Sequence, residues 1–271
     1  MANPYAALLN KVRENKPLVH HITNYVTVND CANITLAIGA SPVMADTIGE
    51  AADIAALAQA VVLNMGTLNE RTIPSMIAAG KAANAKGIPV VFDPVGAGAS
   101  KLRDNTAASL IRKLKLSVIR GNISEIKFVA GLSSRTKGVD ASDSDIAGAD
   151  SAGIARALAR KLGCVVVISG AVDTVSDGKK IILVENGHSM LGNLTGTGCM
   201  CSSLIGSFCG AAPEEPLTAA AAAMMCMGIA GELAYESIGQ RGNGSFRVAL
   251  HDAVSRMDAA TLETLARYHE A

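Results

Sequence analysis

The 271-residue chain carries 24 Lys and Arg against 24 Asp and Glu, and 49% of it is apolar, so it should be globular with a sizeable buried core. Balanced charge, four Phe, four Tyr and no Trp argue against nucleic-acid binding and against an anionic membrane surface. Six cysteines within apolar stretches suit reduced thiols, and charges at Lys11, Arg13, Glu14 and Lys16 replace any signal-peptide core, so the expected compartment is the cytoplasm.

Asn3 and Pro4 read as a cap followed by proline at a helix start, and Tyr5, Leu8, Leu9 and Val12 make an apolar stripe that ends before Pro17. A strand is expected over 18–22. Polar residues from Thr23 to Asp30 then lead into a helix through Cys31, Ile34 and Leu36 to Gly39. Ligands of parallel α/β sheets bind at the carboxyl ends of strands, which makes Asn24 and Asn29 site candidates, with helix capping an equal alternative for Asn24. A brief extended segment over 41–44 precedes a helix over 50–60 with Ile54 and Leu57 on one side. Strands follow over 61–65 and 88–92, separated by a helix over 71–86. Their continuous apolar character is that of strands covered on both faces.

The second of these strands ends in Asp93-Pro94-Val95-Gly96-Ala97-Gly98-Ala99. An acid with two glycines there invites phosphate or metal chemistry, although neither the dinucleotide fingerprint nor a P-loop is present. A helix over 101–115 and a strand over 117–119 lead to Arg120-Gly121-Asn122-Ile123-Ser124-Glu125. Residues 132–150 read as a loop, 151–162 as an amphipathic helix, and 165–168 as a strand ending at Ser169-Gly170. Segments 172–175 and 181–184, joined across Asp177-Gly178, spell an antiparallel edge hairpin. The remainder is expected to be helical to the end, over 217–237 and 245–267. The apolar run 217–231 is shorter than a membrane span and rich in alanine, as in a tightly packed buried helix. No repeat or long linker divides residues 1–271, so one domain is expected.

Asn193-Leu194-Thr195-Gly196-Thr197-Gly198-Cys199 is a glycine-broken turn running into an apolar helix that Thr195 or Thr197 could cap. Amides of residues 196–199, Gly198 among them, would form an anion site at the helix start without any lysine. Cys199 is the side chain best placed to touch what reacts there. Cys199 and Cys201 lack the second pair a structural zinc site would show. Together, Asn24, Asp93, Arg120, Glu125, Ser169 and this turn should share one rim of the sheet. Such a set suits phosphoryl transfer: Asp93 and Glu125 for Mg²⁺, directly or through water, Arg120 for phosphate, and helix amides for the transferred group. A rival is a cysteine nucleophile using His20 or His21 as base, although a histidine pair in a buried strand more often satisfies local hydrogen bonds. A non-catalytic nucleotide-binding protein is another.

His20-His21-Ile22-Thr23-Asn24, Ser41-Pro42-Val43-Met44, Asp93 to Ala99, Arg120 to Glu125 and Thr195 to Cys199 resemble, in order, the signatures of hydroxyethylthiazole kinase. The resemblance implies a three-layer, ribokinase-like α/β fold with helices on both faces of a mostly parallel sheet. It also implies phosphorylation of 4-methyl-5-(2-hydroxyethyl)thiazole with Mg²⁺ and ATP in the salvage branch of thiamine synthesis, the nearest alternative being a superfamily relative that acts on another small alcohol such as hydroxymethylpyrimidine or a sugar, for which the Pro42-Val43-Met44 lip is rather apolar. Carried residue by residue, it puts Met44, Gly196 and Asn24 against the thiazole, Arg120 and Ser169 on the nucleotide, and Asp93 and Glu125 near magnesium and phosphate. It further implies a homotrimer with sites between subunits, in which Asn24 and Met44 serve a neighbour's nucleotide. The wider superfamily usually has aspartate where Cys199 stands, whereas thiazole kinases commonly have cysteine. The helix start would favour the Cys199 thiolate and a nearby phosphate would oppose it.

Overall fold

The computed structural model describes residues 3–132, 150–238 and 241–271, and the loop expected over 132–150 lies outside them except for its end residues. Six parallel strands form most of one sheet: β1 (Leu18–Ile22), β2 (Ser41–Met44), β3 (Ala60–Asn64), β4 (Val90–Asp93), β5 (Val118–Asn122) and β6 (Val165–Ser169). Three antiparallel strands extend it, β7 (Asp173–Ser176), β8 (Ile181–Val184) and β9 (Tyr268–Glu270). The spatial order is β2-β1-β3-β4-β5-β6-β7-β8-β9. Side chains alternate across the pleat, so Val62 joins one apolar core while Val61 and Leu63 join the other. Both faces of the parallel region are therefore covered, which is why its strands are apolar throughout.

On one face lie α1 (Pro4–Asn15), α2 (Val28–Ile38), α8 (Thr197–Ala211), α9 (Pro216–Ile238), α10 (Asn243–Arg256) and α11 (Ala259–Leu265). On the other lie α3 (Ala51–Leu57), α4 (Thr72–Ala85), α5 (Lys101–Lys113), α6 (Ile123–Ala130) and α7 (Ser151–Leu162). Asn3 caps α1 as expected, its Oδ1 accepting from the Tyr5 amide at 3.0 Å. The 23 residues of α9 are long and apolar enough to cross a membrane by length and composition, but 78% of an apolar 18-residue stretch within them is buried inside the fold. Its alanines from Ala219 to Ala223 are all buried, so the helix works as a core element.

Three expectations need correction. The helix over 50–60 is only α3, and its buried side is Ala51 and Ala55, while Leu57 is exposed; small side chains let it lie close to the sheet. The last helix is broken at Met257 and Asp258 because Asp258 caps a new helix, accepting from the Thr261 amide at 2.7 Å. The chain then ends in β9, which pairs with β8 and makes the antiparallel edge three strands wide.

Candidate functional site

Parallel strands deliver their carboxyl ends to one rim, and registers Asn64↔Asp93 and Asn122↔Ser169 set polar side chains there side by side. α8 begins at the same rim. Its N-cap is Gly196 at φ 88°, a left-handed conformation that glycine adopts without strain. Neither threonine caps the helix: Thr197 is its first residue and its hydroxyl donates back to the Leu191 carbonyl at 3.0 Å. The Met200 amide donates to the Gly196 carbonyl at 2.9 Å, so the amides of residues 197–199 precede the first intrahelical bond and face out of the helix end. A Cβ on Gly198 would stand 2.5 Å from Arg120 Nη1, so only glycine lets helix and guanidinium meet this closely.

A buried hydrogen-bond chain links the candidates. Asn24 Nδ2 donates to Asn64 Oδ1 at 2.9 Å and to Cys199 Sγ at 3.3 Å, and Asn64 Nδ2 donates to Asp93 Oδ2 at 2.9 Å and to the same sulfur at 3.3 Å. Ser202 Oγ, one turn along α8, donates to Asp93 Oδ2 at 2.7 Å. Arg120 Nη1 stands 3.9 Å from that oxygen, and Arg120 Nη2 donates to Ser169 Oγ at 2.8 Å. Glu125 lies beside this chain rather than in it. Its Oε1 accepts from the Gly96 amide and its Oε2 from the Asn122 amide, each at 2.8 Å, while Asn122 Oδ1 accepts from the Glu125 amide at 2.9 Å in a reciprocal cap of α6.

Burial dominates the electrostatics of this rim. It raises the Asp93 carboxyl above the ordinary range, opposed by Arg120 and by the bonds from Ser202 and Asn64. Burial, with the Asp93 charge adding to it, pushes Glu125 up to about 7. Burial opposes the Arg120 cation, yet the surrounding charges, Asp93 foremost, hold its pKa above the usual value. Burial and the Asp93 charge also raise the Cys199 thiol, against donors on Thr27, Asn24 and Asn64. Burial and Asp93 therefore favour the neutral thiol of Cys199.

Cys199 lines neither of two cavities, but residues beside it and beside its partner Asn24 do. One, of about 580 Å³, is lined by Arg120, Ser169, Asp173, His188, Gly198 and Met227. The other, of about 300 Å³, is lined by Thr23, Tyr25, Val28, Met44, Thr67 and Arg71. Gly198, next to Cys199, lines the first, and Thr23 and Tyr25, flanking the Asn24 that touches Cys199, line the second. Met44 is thus parted from Arg120 and Ser169 within one chain. Gly196 packs beside Thr27, whose Cγ2 would be 2.5 Å from an added Cβ. Asn29 is not at the site: it is exposed, and its Oδ1 accepts from Asn33 at 3.0 Å along α2.

The cysteine–histidine rival finds no support. His20 Nε2 donates to the Ala45 carbonyl at 2.7 Å and His21 Nδ1 to the Val19 carbonyl at 3.1 Å, and burial pushes His21 down to about 4. Sequence reasoning missed Asn64, Ser202, Asp173 and His188. Asn64 carried the same signal as Asp93, a polar residue ending an apolar strand. His188 carried none, and its ring stacks on Tyr235 with centroids 3.8 Å apart.

Among the described residues no three His, Cys, Asp or Glu side chains cluster as a metal cage. The donors nevertheless fit Mg²⁺, which binds through one or two carboxylates and completes its shell with water and substrate phosphate. Asp93 Oδ1 is buried without a hydrogen-bond partner and is the free ligand atom, whereas both Glu125 oxygens are held by amides and suit a water-bridged contact.

The profile of the Hydroxyethylthiazole kinase family matches residues 9–260. A hydroxyethylthiazole kinase of Ruminiclostridium cellulolyticum is 59% identical over 263 residues, covering 97% of this chain and 96% of that one. The solved structure of a hydroxyethylthiazole kinase protein from Pyrococcus horikoshii superposes with a TM-score of 0.88 at 39% identity, covering 98% of both chains. A ribokinase-like superfamily protein of Enterococcus faecalis, with a TM-score of 0.63 at 12% identity over 91% of this chain and 89% of that one, shares the fold.

Proposed function

Because the chain belongs to the hydroxyethylthiazole kinase family, we propose that it phosphorylates the hydroxyl of 4-methyl-5-(2-hydroxyethyl)thiazole with ATP, in thiamine synthesis or salvage. The observation that carries the reading is the hydrogen-bond chain Asn24, Cys199, Asn64 and Asp93 at the start of α8, with Gly198 beside Cys199 lining one cavity and Thr23 and Tyr25 beside Asn24 lining the other. ATP takes the larger cavity, with Arg120, Ser169 and Gly198 at its phosphates. The thiazole takes the smaller, against Met44, with Asn24 and Gly196 at the inner end. Asp93, and Glu125 through water, would hold Mg²⁺, which would supply charge to offset that of the phosphate oxygens.

Amides of residues 197–199 and the Arg120 guanidinium meet the charge that develops on the group in flight, in line between ADP and the alcohol. Cys199 hydrogen-bonds the alcohol. Only its thiolate can accept the proton, and at neutral pH that is the minor form, opposed by burial and Asp93 and favoured by the two amide donors on sulfur. A loose transition state asks for the proton late, so a feeble base suffices.

The whole chain works as one kinase domain within a homotrimer whose sites lie between subunits. Supporting this, apolar Tyr25, Val26 and Ile48 are 78%, 55% and 55% exposed, and Tyr25 lines the Met44 cavity. Six free thiols suit the reducing cytoplasm. A coupled assay of ADP release tests the reading: the thiazole alcohol should raise ATP turnover well above background, and ATP consumption indifferent to that alcohol overturns it.

A further inference from the structure

Asn64 ends β3 in the middle of the rim and is 2% exposed. Its Oδ1 accepts from the Gly66 backbone amide at 2.8 Å as well as from Asn24 Nδ2 at 2.9 Å. A backbone N–H can only donate, so the Gly66 contact fixes the orientation of the Asn64 amide. Nδ2 must face the other way, toward Asp93 Oδ2 at 2.9 Å and Cys199 Sγ at 3.3 Å, and both of its hydrogens are committed there. With Oδ2 of Asp93 also taken by Ser202, Oδ1 is the atom left over.

We infer that Asn64 is a positioning residue for phosphoryl transfer, one buried amide that ties Asp93 to Cys199 and gives the sulfur one of its two N–H donors. The inference rests on the kinase reading of the same rim. In the step it serves, the alcohol oxygen bonds phosphorus, the bond from phosphorus to the ADP oxygen breaks with its electron pair leaving on ADP, and the alcohol proton passes to the Cys199 thiolate. Negative charge on sulfur before that transfer is met by dipoles already aimed at it, from Asn24 and Asn64. The carboxylate is meanwhile held still, so that its free oxygen keeps one place.

Two variants test this, both measured on protein shown folded by circular dichroism. Asn64→Ala deletes the tie. Asn64→Asp keeps the size and the acceptors for Gly66 and Asn24 but sets an acceptor where Asp93 and Cys199 need a donor. Turnover at saturating substrates should fall about tenfold to a hundredfold in each, with both KM values within about threefold of the parent. Iodoacetamide should modify Cys199 of the unliganded Asn64→Asp protein about tenfold more slowly, read by peptide mass, since modification follows the thiolate. In a Cys199→Ala background the loss caused by Asn64→Ala should shrink, because residues acting as a unit are not additive. Native turnover, an unchanged alkylation rate or a fully additive loss overturns the inference. The alkylation arm needs no substrate: if it responds to Asn64 while the parent protein ignores the thiazole alcohol, the kinase reading fails and the tie to Cys199 stands.

Discussion

The larger cavity draws its lining from strand ends, the start of α8, the short 3-10 segment Ser189–Asn193 and α9, and holds a buried guanidinium and a buried carboxyl; the smaller sets Met44, Val28 and Tyr25 among polar residues such as Thr23, Thr67 and Arg71, with no buried ion pair among its described lining residues. The contrast follows from what each receives in the proposed reaction. Phosphates need preorganised charge, and burying Arg120 beside Asp93 in one chain keeps that charge from reorganising. In that proposal the thiazole ring needs apolar contact, which Met44, Val28 and Tyr25 offer.

Removing the carboxylate at the centre of the hydrogen-bond chain should cost most. Asp93→Ala takes away the free ligand atom Oδ1 and the anchor of Asn64 and Ser202, so kcat should fall on the order of a thousandfold. Steady-state kinetics with both substrates saturating measures it. Arg120→Met should lower kcat and raise the KM for ATP by about tenfold to a hundredfold while the KM for the alcohol stays put. Its loss also leaves Asp93 without its ion-pair partner, so the variant should melt at lower temperature. Met44→Ala should act on the other side, raising the KM for the alcohol about tenfold with the ATP value unchanged. If Met44→Ala and Arg120→Met shift the same KM, the division between the cavities is wrong.

The smallest effect concerns Asp173, whose carboxyl burial pushes up to about 7, opposed by the Gly170 amide and Arg120. A raised folded-state value means the neutral acid is preferred. Stability from that preference is complete below the unfolded-state pKa of about 4 and is lost as pH rises through about 7, a change of at most a few kcal/mol. Asp173→Asn keeps the acceptor for the Gly170 amide at 2.9 Å and removes the charge. It should therefore raise Tm at pH 8, with the gain vanishing as pH falls toward 4.

Much of the rim was legible because one rule, polar residues at the carboxyl ends of apolar strands, marked Asn24, Asp93, Arg120 and Ser169 separately. Asn64 obeyed it and was passed over, because Met65 behind it is apolar and hid the strand's end. Asn29 obeyed it locally and failed, since helix geometry turned it outward to Asn33. The β9 strand could not be read at all: Tyr268, His269 and Glu270 are exposed and short, and they extend only because the edge of β8 offers its backbone.

Local patterning determined the alternation of strands and helices, the caps at Asn3 and Gly39, and the family, since these depend on residues near in sequence. Tertiary structure alone decided that Asn64 joins Asp93 to Cys199, that burial and Asp93 favour the neutral thiol there, and that Met44 and Arg120 belong to different cavities. Hydrogen-bond partners and desolvation are set by groups brought together across the fold, and residues such as 24, 64, 93 and 199 meet only once the sheet has formed.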